Sequence, residues 1–193
     1  ELAELLGIFA AEGSLVKNTK GNLTNRVVFS FGSHEKPLID YTRHLIEKTF
    51  GILVEPRYAH ETAKTLSIDS YLIALIFKEV FGVGGNSGEK TIPDLIFNLA
   101  RNFRERYLIA FMAGDGYPSK VWTEHLLNNS WPSDLERQKF TAVAKNKGFI
   151  VSLMYLLSSL NKTYSYGERR KPQDQRRFIS INYKGQIKVR EIK

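Results

Sequence analysis

Cysteine is missing from all 193 positions. Its absence excludes disulfides, a thiolate metal centre and a cysteine nucleophile, and is compatible with an intracellular protein of unspecified compartment. Histidine is scarce. His34, His44, His60 and His125 show no metal-ligand spacing and no Ser or Cys partner arrangement, so they read as structural or surface residues. Long apolar runs are absent too: no stretch approaches the ~20 residues of a membrane span, and the N-terminus lacks a signal-peptide layout, so no membrane partner is expected. The cluster Gly84, Gly85, Ser87 and Gly88 lacks the GKS/T ending of a phosphate loop and reads as a flexible connector.

Apolar residues make up 42% of the chain, sufficient for a core at a length that suits one compact domain or two small fused halves without a separate linker. The chain opens directly on an apolar helix, which reads as a piece of a longer protein. Its charge is lopsided. The net charge is +8, yet residues 1–100 hold 10 Lys and Arg against 12 Asp and Glu, giving −2, while residues 101–193 hold 18 against 8, giving +10. That balance favours a polyanionic partner met by the second half, or a basic tail. Charge alone does not separate this from a solvated basic surface.

An internal echo says more. Leu5 to Gly13 reads LLGIFAAEG and Leu108 to Gly116 reads LIAFMAGDG, with the same layout of apolar and small residues and the same acid-plus-Gly ending. Small residues stand four apart in each copy, Gly7 and Ala11, then Ala110 and Gly114. They share one helix face and let two helix backbones approach closely. The flanking Leu5, Leu6, Ile8, Phe9 and Leu108, Ile109, Phe111, Met112 make both predicted helices apolar almost all round, as in elements buried between two halves. Glu12 and Asp115 then fall at the C-terminal ends, where carboxylates repel the helix dipoles and each other. A divalent cation held by carboxylate oxygens relieves this, and oxygen-only ligation favours Mg²⁺ over Zn²⁺. The plainer reading is a pair of core helices with ordinary C-caps. It leaves the acid before each cap without a structural need.

Coarse patterns repeat as well. Val27, Phe29 and Phe31 alternate as in a half-buried strand, and Ser33 is placed to cap a helix carrying Leu38, Tyr41, Thr42, Leu45, Ile46 and Thr49, ended by Gly51. Val54 to Ala59 and Thr65 to Ile68 read as a second strand pair, followed by a helix with Leu72, Ile73, Ile76, Phe77 and Val80. In the second half, Phe140 to Ala144 reads as strand and Phe149, Leu153, Met154, Leu157 and Leu160 as a helix stripe. Tyr164 to Arg169 and Phe178 to Tyr183 read as a hairpin pair.

The two acid-ended segments resemble the paired LAGLIDADG (dodecapeptide) motifs of the homing endonucleases, and the resemblance covers most of the chain. Glu12 and Asp115 stand 103 positions apart. KTIPDLIFN, Lys90 to Asn98, resembles a segment found before the second motif in intein-associated members. The resemblance implies an α+β fold, a pseudo-twofold duplication of αββαββα halves spanning 1–100 (motif 5–13) and 101–193 (motif 108–116). The motif helices would pack at the centre and antiparallel sheets would form a DNA-binding saddle. It further implies a monomer with internal pseudo-dimer symmetry that binds double-stranded DNA. Its activity would be site-specific, metal-dependent hydrolysis of phosphodiester bonds in both strands, of intein or intron homing type. Ala10 and Ala113 replace an acid common in the motif, and Glu12 stands for the usual Asp. Tyr117 to Gln138, with Pro118, Trp122, Trp131 and Pro132, departs from the pattern and reads as an insertion that modifies DNA contacts.

For that chemistry, Glu12 and Asp115 would hold the metal, Mg²⁺ or Mn²⁺ in its place, with Ala11 and Gly114 in the same metal set, and water would be the nucleophile. Lys90 matches the motif lysine and joins the acids as a catalytic candidate; an exposed loop lysine is its plain reading. Lys184 and Lys188 are the second-half candidates for its counterpart. Lys17 and Lys120 follow the acids closely and could touch phosphates or simply be solvated. Twisted strand pairs fit the major groove and present every second side chain to base edges. That nominates Arg26, Val28, Ser30, Arg57, Arg169, Arg177, Ser180, Asn182, Lys184 and Lys188 as DNA contacts. Two rivals remain at this level, a maturase-like RNA binder and a DNA-binding regulator without metals. The presence of both acids argues against each. Protein splicing has no support within the chain, which lacks Cys and a terminal His-Asn.

Overall fold

The computed structural model describes residues 1–18, 20, 23–84, 88–130, 140–144, 146–168 and 177–181. Helix α1 (Leu2–Glu12) runs straight into strand β1 (Gly13–Lys17), followed by β2 (Leu23–Gly32), α2 (Lys36–Phe50), β3 (Arg57–His60), β4 (Ala63–Asp69) and α3 (Tyr71–Leu75), which widens into a π-turn over Ile76–Val80. After α4 (Asp94–Asn98) comes a second series: α5 (Arg101–Asp115), β5 (Gly116–Tyr117), α6 (Ser119–Leu127), β6 (Phe140–Ala144), α7 (Lys147–Ser159), β7 (Tyr164–Glu168) and β8 (Arg177–Ile181). The class is α+β, as the sequence implies. Both sheets are antiparallel and share one strand order, β1-β2-β4-β3 and β5-β6-β8-β7. Their registers agree too: Gly13 pairs with Phe29 and that with Leu66, while Gly116 pairs with Ala142 and that with Ile179.

The motif segments of α1 and α5, Leu5–Ala10 and Tyr107–Ala113, are apolar all round because protein surrounds them. Leu5, Leu6, Ile8, Phe9, Leu108, Ile109, Phe111 and Met112 are each at most 1% exposed, and burying one such side chain is worth ~1.5–3 kcal/mol. Sheet alternation does the rest. Val27, Phe29 and Phe31 turn inward, with Phe29 edge-on to Phe9 at 5.7 Å, while Arg26 and Ser30 face out.

One polar junction interrupts this core. Arg106 of α5 donates to Glu4 Oε1 of α1 at 2.5 Å and to the Leu126 carbonyl of α6 at 2.7 Å, with the Tyr41 hydroxyl of α2 at 3.5 Å. The ion pair is buried, with 15% and 8% of the two side chains exposed.

Four local expectations are corrected. Ser33 does not cap α2: residues 33–35 form a turn in which the Glu35 N–H donates to the Gly32 carbonyl at 3.0 Å. The helix therefore begins at Lys36, with Glu35 at the N-cap and Pro37 in the first turn. Gly51 does end it, in the left-handed region at φ 68°. The strand expected from Val54 starts only at Arg57, after Pro56, which has no N–H for a ladder. Leu72 and Val80 are 65% and 70% exposed: Leu72 lies opposite the buried Ile73 and Ala74 of α3, and Val80 is turned out because the Phe81 N–H reaches back five residues to Ile76 at 3.0 Å. The wider turn brings Phe81, 9% exposed, to the core in place of Val80. Finally, the stretch after Tyr117 is an insertion relative to the first series, since α6 has no counterpart between β1 and β2, but one built into the core as far as Leu127: α6 packs on α5 and buries Trp122 and Leu126 completely. Residues 131–139 lie outside the described set, as do Gly85 and Ser87 of the expected connector.

Candidate active site

Two small residues on each motif helix set the geometry. A Cβ placed on Gly7 would stand 2.9 Å from the Ala110 Cβ and 2.4 Å from the Tyr107 carbonyl oxygen. One placed on Gly114 would stand 2.5 Å from the Ala11 Cβ and 3.1 Å from Glu12 Oε1. Contacts that advance together along both helices mean that α1 and α5 run side by side in the same direction. Their C-terminal ends arrive together, and Glu12 and Asp115 with them.

The glycine after each acid is not an ordinary cap. Gly13 has φ −85° and ψ 153°, and Gly116 has φ −87° and ψ 156°, extended values open to any residue rather than the left-handed ones of a C-cap glycine. Space is what requires glycine. A Cβ on Gly13 would lie 2.6 Å from the Phe9 carbonyl oxygen, and one on Gly116 would lie 2.4 Å from that of Met112.

Burial pushes the Glu12 carboxyl up from 4.5 to about 7, with Glu35 and then Asp115 adding repulsion and Lys90 opposing. Desolvation also raises Asp115, against the pull of Lys90. Asp115 as a residue is nevertheless exposed, so a ligand has a way in. Lys90 donates its ammonium to the Ala11 carbonyl at the C-terminal end of α1. Desolvation lowers its pKa while Asp115 and Glu12 raise it, so the cation lies within electrostatic reach of both acids. Its segment is pinned by the buried Ile92 and Ile96, and its carbonyl accepts from Asn146 Nδ2 at 2.9 Å.

The folded protein holds the Glu12 proton more tightly than the unfolded chain does. Stability is therefore present at low pH and lost as pH rises through the Glu12 value of about 7. The Tm of the metal-free protein is expected to fall between about pH 5 and about pH 8, and Glu12→Gln to flatten that slope. Thermal unfolding in chelator across this range checks it.

Glu12, Asp115 and Lys90 thus come together, with Ala11 and Gly114 at the helix contact beside them. The outer-face candidates are spread along the sheets. Lys17 lies on β1 in an exposed ion pair with Glu89 at 2.8 Å, and Arg26 pairs with Asp69 at 2.5 Å. Val28 is half-buried, Ser30 exposed, and Arg57 exposed on edge strand β3 in register with Thr65. Lys120 stands exposed on α6, so it is not the strand counterpart of Lys17. Ser180 holds the register position between Thr141 and Ser165, and Arg177 that between Ala144 and Glu168. Arg169, Asn182, Lys184 and Lys188 lie outside the described residues.

Sequence reasoning missed two neighbours of the site. Glu35, whose Oε2 accepts from the Gly32 N–H at 2.6 Å, is the charge that acts most on Glu12. Asn146 is of a residue type that caps helices, which is the one local signal it carries, and nothing in the sequence marks its hold on Lys90. Among the described residues no group of three or more His, Cys, Asp or Glu is arranged to hold a metal ion. The donors on offer are two carboxylates and backbone carbonyls. That is an oxygen-only set, which fits a cation such as Mg²⁺ that takes one or two carboxylates and completes its shell from substrate phosphate and water.

No protein-family model matches the sequence. Among curated proteins, the chain is 24% identical over 171 residues to an uncharacterized protein of Methanocaldococcus jannaschii, covering 86% of this chain and 18% of that one. It is 30% identical over 133 residues to the replication factor C small subunit of the same organism, 64% of this chain and 7% of that one. The DNA polymerase II large subunit of Thermococcus kodakarensis matches at 27%, over 60% of this chain and 6% of its own length. The chain therefore spans less than a fifth of each of these relatives. Among solved structures, I-DmoI in complex with DNA and Mn superposes with a TM-score of 0.62 at 12% identity, covering 93% of this chain and 88% of that one. The homing endonuclease I-WcaI bound to its DNA recognition sequence gives 0.55 at 14% identity, covering 94% and 75%. The likeness to both is one of fold.

Proposed function

From a chain with the fold of the LAGLIDADG homing endonucleases, we propose a site-specific, divalent-metal-dependent endonuclease that hydrolyses both strands of duplex DNA at a long recognition site. The observation that carries this reading is the meeting of Glu12 and Asp115 at adjoining helix ends, with the Lys90 ammonium on the Ala11 carbonyl at the end of α1 and solvent access at Asp115. Glu12 and Asp115, with the carbonyls of Ala11 and Gly114 beside them, would hold Mg²⁺ or Mn²⁺. When bound, the cation supplies Lewis-acid stabilisation of the charge that develops on the phosphate.

The protein's own groups do the rest. Each half contributes one acid, so a single copy of the chain holds the whole centre. Lys90 balances the two carboxylates before DNA arrives and is placed to donate to a phosphate oxygen or to orient water for in-line attack. The duplex lies along the outer sheet faces. Arg26, Val28, Ser30 and Arg57 read it from the first sheet and Arg177 and Ser180 from the second, with Arg169, Asn182, Lys184 and Lys188 given the same role from the sequence of the more basic half. Lys17 and Lys120 meet phosphates near the acids. Exposed ion pairs such as those of Lys17 and Arg26 are worth about 0–1 kcal/mol, so a DNA phosphate displaces the carboxylate partner at little cost. A module that recurs as 7% of a replication factor subunit and 6% of a polymerase subunit travels separately from any one host activity, which supports an intein-type homing origin.

The test exposes randomised and genomic duplexes to the protein with Mg²⁺, with Ca²⁺ and with chelator, and sequences the ends produced. Ends enriched at one long site with Mg²⁺ alone are expected. Binding without ends in every condition overturns the nuclease, and a preference for RNA at matched salt then identifies a maturase-like protein.

A further inference from the structure

One side chain of the second series holds the connector that carries Lys90. Asn146 stands just before α7 and uses both ends of its amide. Its Oδ1 accepts from the Gly148 N–H at 2.8 Å and the Phe149 N–H at 3.4 Å, which caps the helix. Its Nδ2 donates to the Lys90 carbonyl at 2.9 Å. Lys90 in turn donates to the Ala11 carbonyl on α1. Both residues are half-buried. A continuous line of polar contacts therefore runs from the start of α7, through the connector backbone, to the end of α1 where the acids sit. Asp or Ser would cap α7 as well as Asn does, but neither retains an amide N–H to give the connector. The second hydrogen bond is thus a separate reason for asparagine at this position.

We propose that Asn146 is a positioning residue for Lys90. It fixes the backbone from which the long, otherwise mobile lysine side chain projects, so that the ammonium stays at the end of α1 beside Glu12 and Asp115. The position of the lysine then depends on α7 being docked in the second half. The catalytic consequence rests on the nuclease reading above; the geometric one does not.

Asn146→Asp keeps the cap and has no proton to give, and Asn146→Ser keeps the cap with a hydroxyl one bond shorter than the reach of the amide nitrogen; both are expected to fold, with a Tm lowered by no more than the few degrees of one lost hydrogen bond. On the metal-free protein, acylation of Lys90 by a soluble amine reagent, read by peptide mass spectrometry, should quicken about tenfold in both variants as one hydrogen bond is lost. Exposed Lys48 serves as the internal reference and should not change. Single-turnover cleavage of the selected site with Mg²⁺ should fall about 100-fold, as for a catalytic group displaced by an ångström, while DNA affinity in Ca²⁺ holds. An unchanged Lys90 acylation rate in both variants overturns the proposal whether or not the protein cuts DNA. Faster acylation with an unchanged cleavage rate overturns it as well. If the unaltered protein cuts nothing, the nuclease reading fails and the acylation result still decides whether Asn146 holds the lysine.

Discussion

On the proposed nuclease reading, Glu12→Gln and Asp115→Asn are each expected to lower the single-turnover rate of Mg²⁺-supported cleavage by on the order of 10³-fold or more, and each is expected to raise the Tm of the metal-free protein at neutral pH. The two effects have one cause. Both carboxylates sit at the negative ends of parallel helices, are partly stripped of water, and Glu12 also faces Glu35 and Asp115. That arrangement disfavours the charged apoprotein and favours a bound cation. An amide of the same shape removes the repulsion and the metal ligand together. The packing at Gly114, which touches the Glu12 side chain, is left in place. Cleavage kinetics and unfolding in chelator read the two signs. Loss of activity with a lowered Tm would mean that the acids act as structural ion-pair partners; retained activity would remove them from the chemistry.

Arg106→Met is expected to destabilise the protein by about 3 kcal/mol, because it takes the guanidinium from the buried Glu4 carboxylate and leaves only the Glu1 ammonium at 3.3 Å. For a chain of this size that is a fall in Tm on the order of 10 °C. The guanidinium also satisfies the Leu126 carbonyl, so α6 loses its polar anchor in the same step. Glu4→Gln combined with Arg106→Met should recover part of the loss, since removing both charges relieves the unpaired one. Thermal and urea unfolding measure both. A loss below about 1 kcal/mol for Arg106→Met would class the pair with exposed ones.

The central architecture was legible because the two motif helices carry unambiguous chemistry. Their small residues permit close contact, their apolar residues require enclosure, and their acids serve neither purpose. β2 was legible for a similar reason, its alternation of Val27, Phe29 and Phe31 against polar neighbours. Other features depended on partners distant in sequence. The start of α2 is delayed by a turn closed on Gly32, and Val80 faces out because one turn is wider than 3.6 residues. A helix around Trp122 was hidden in a stretch of sequence bracketed by Pro118 and Pro132, and its burial depends on α5. At the site, the acids could be found from their own helices, and Lys90 from the segment it resembles. Glu35 and Asn146 could not, because nothing in their local sequence says that the fold carries them to Glu12 and to the Lys90 carbonyl.

The change from helix to strand at Gly13 and Gly116 takes a single residue, with no loop between acid and sheet. Such a joint has no slack. In the proposed complex, a load that a bound duplex places on strand β1 or β5 would pass directly to the adjoining carboxylate. A mismatched sequence that binds the sheets while loading them differently would therefore still displace the acids. Discrimination between targets would then register in the rate of cutting more than in the strength of binding.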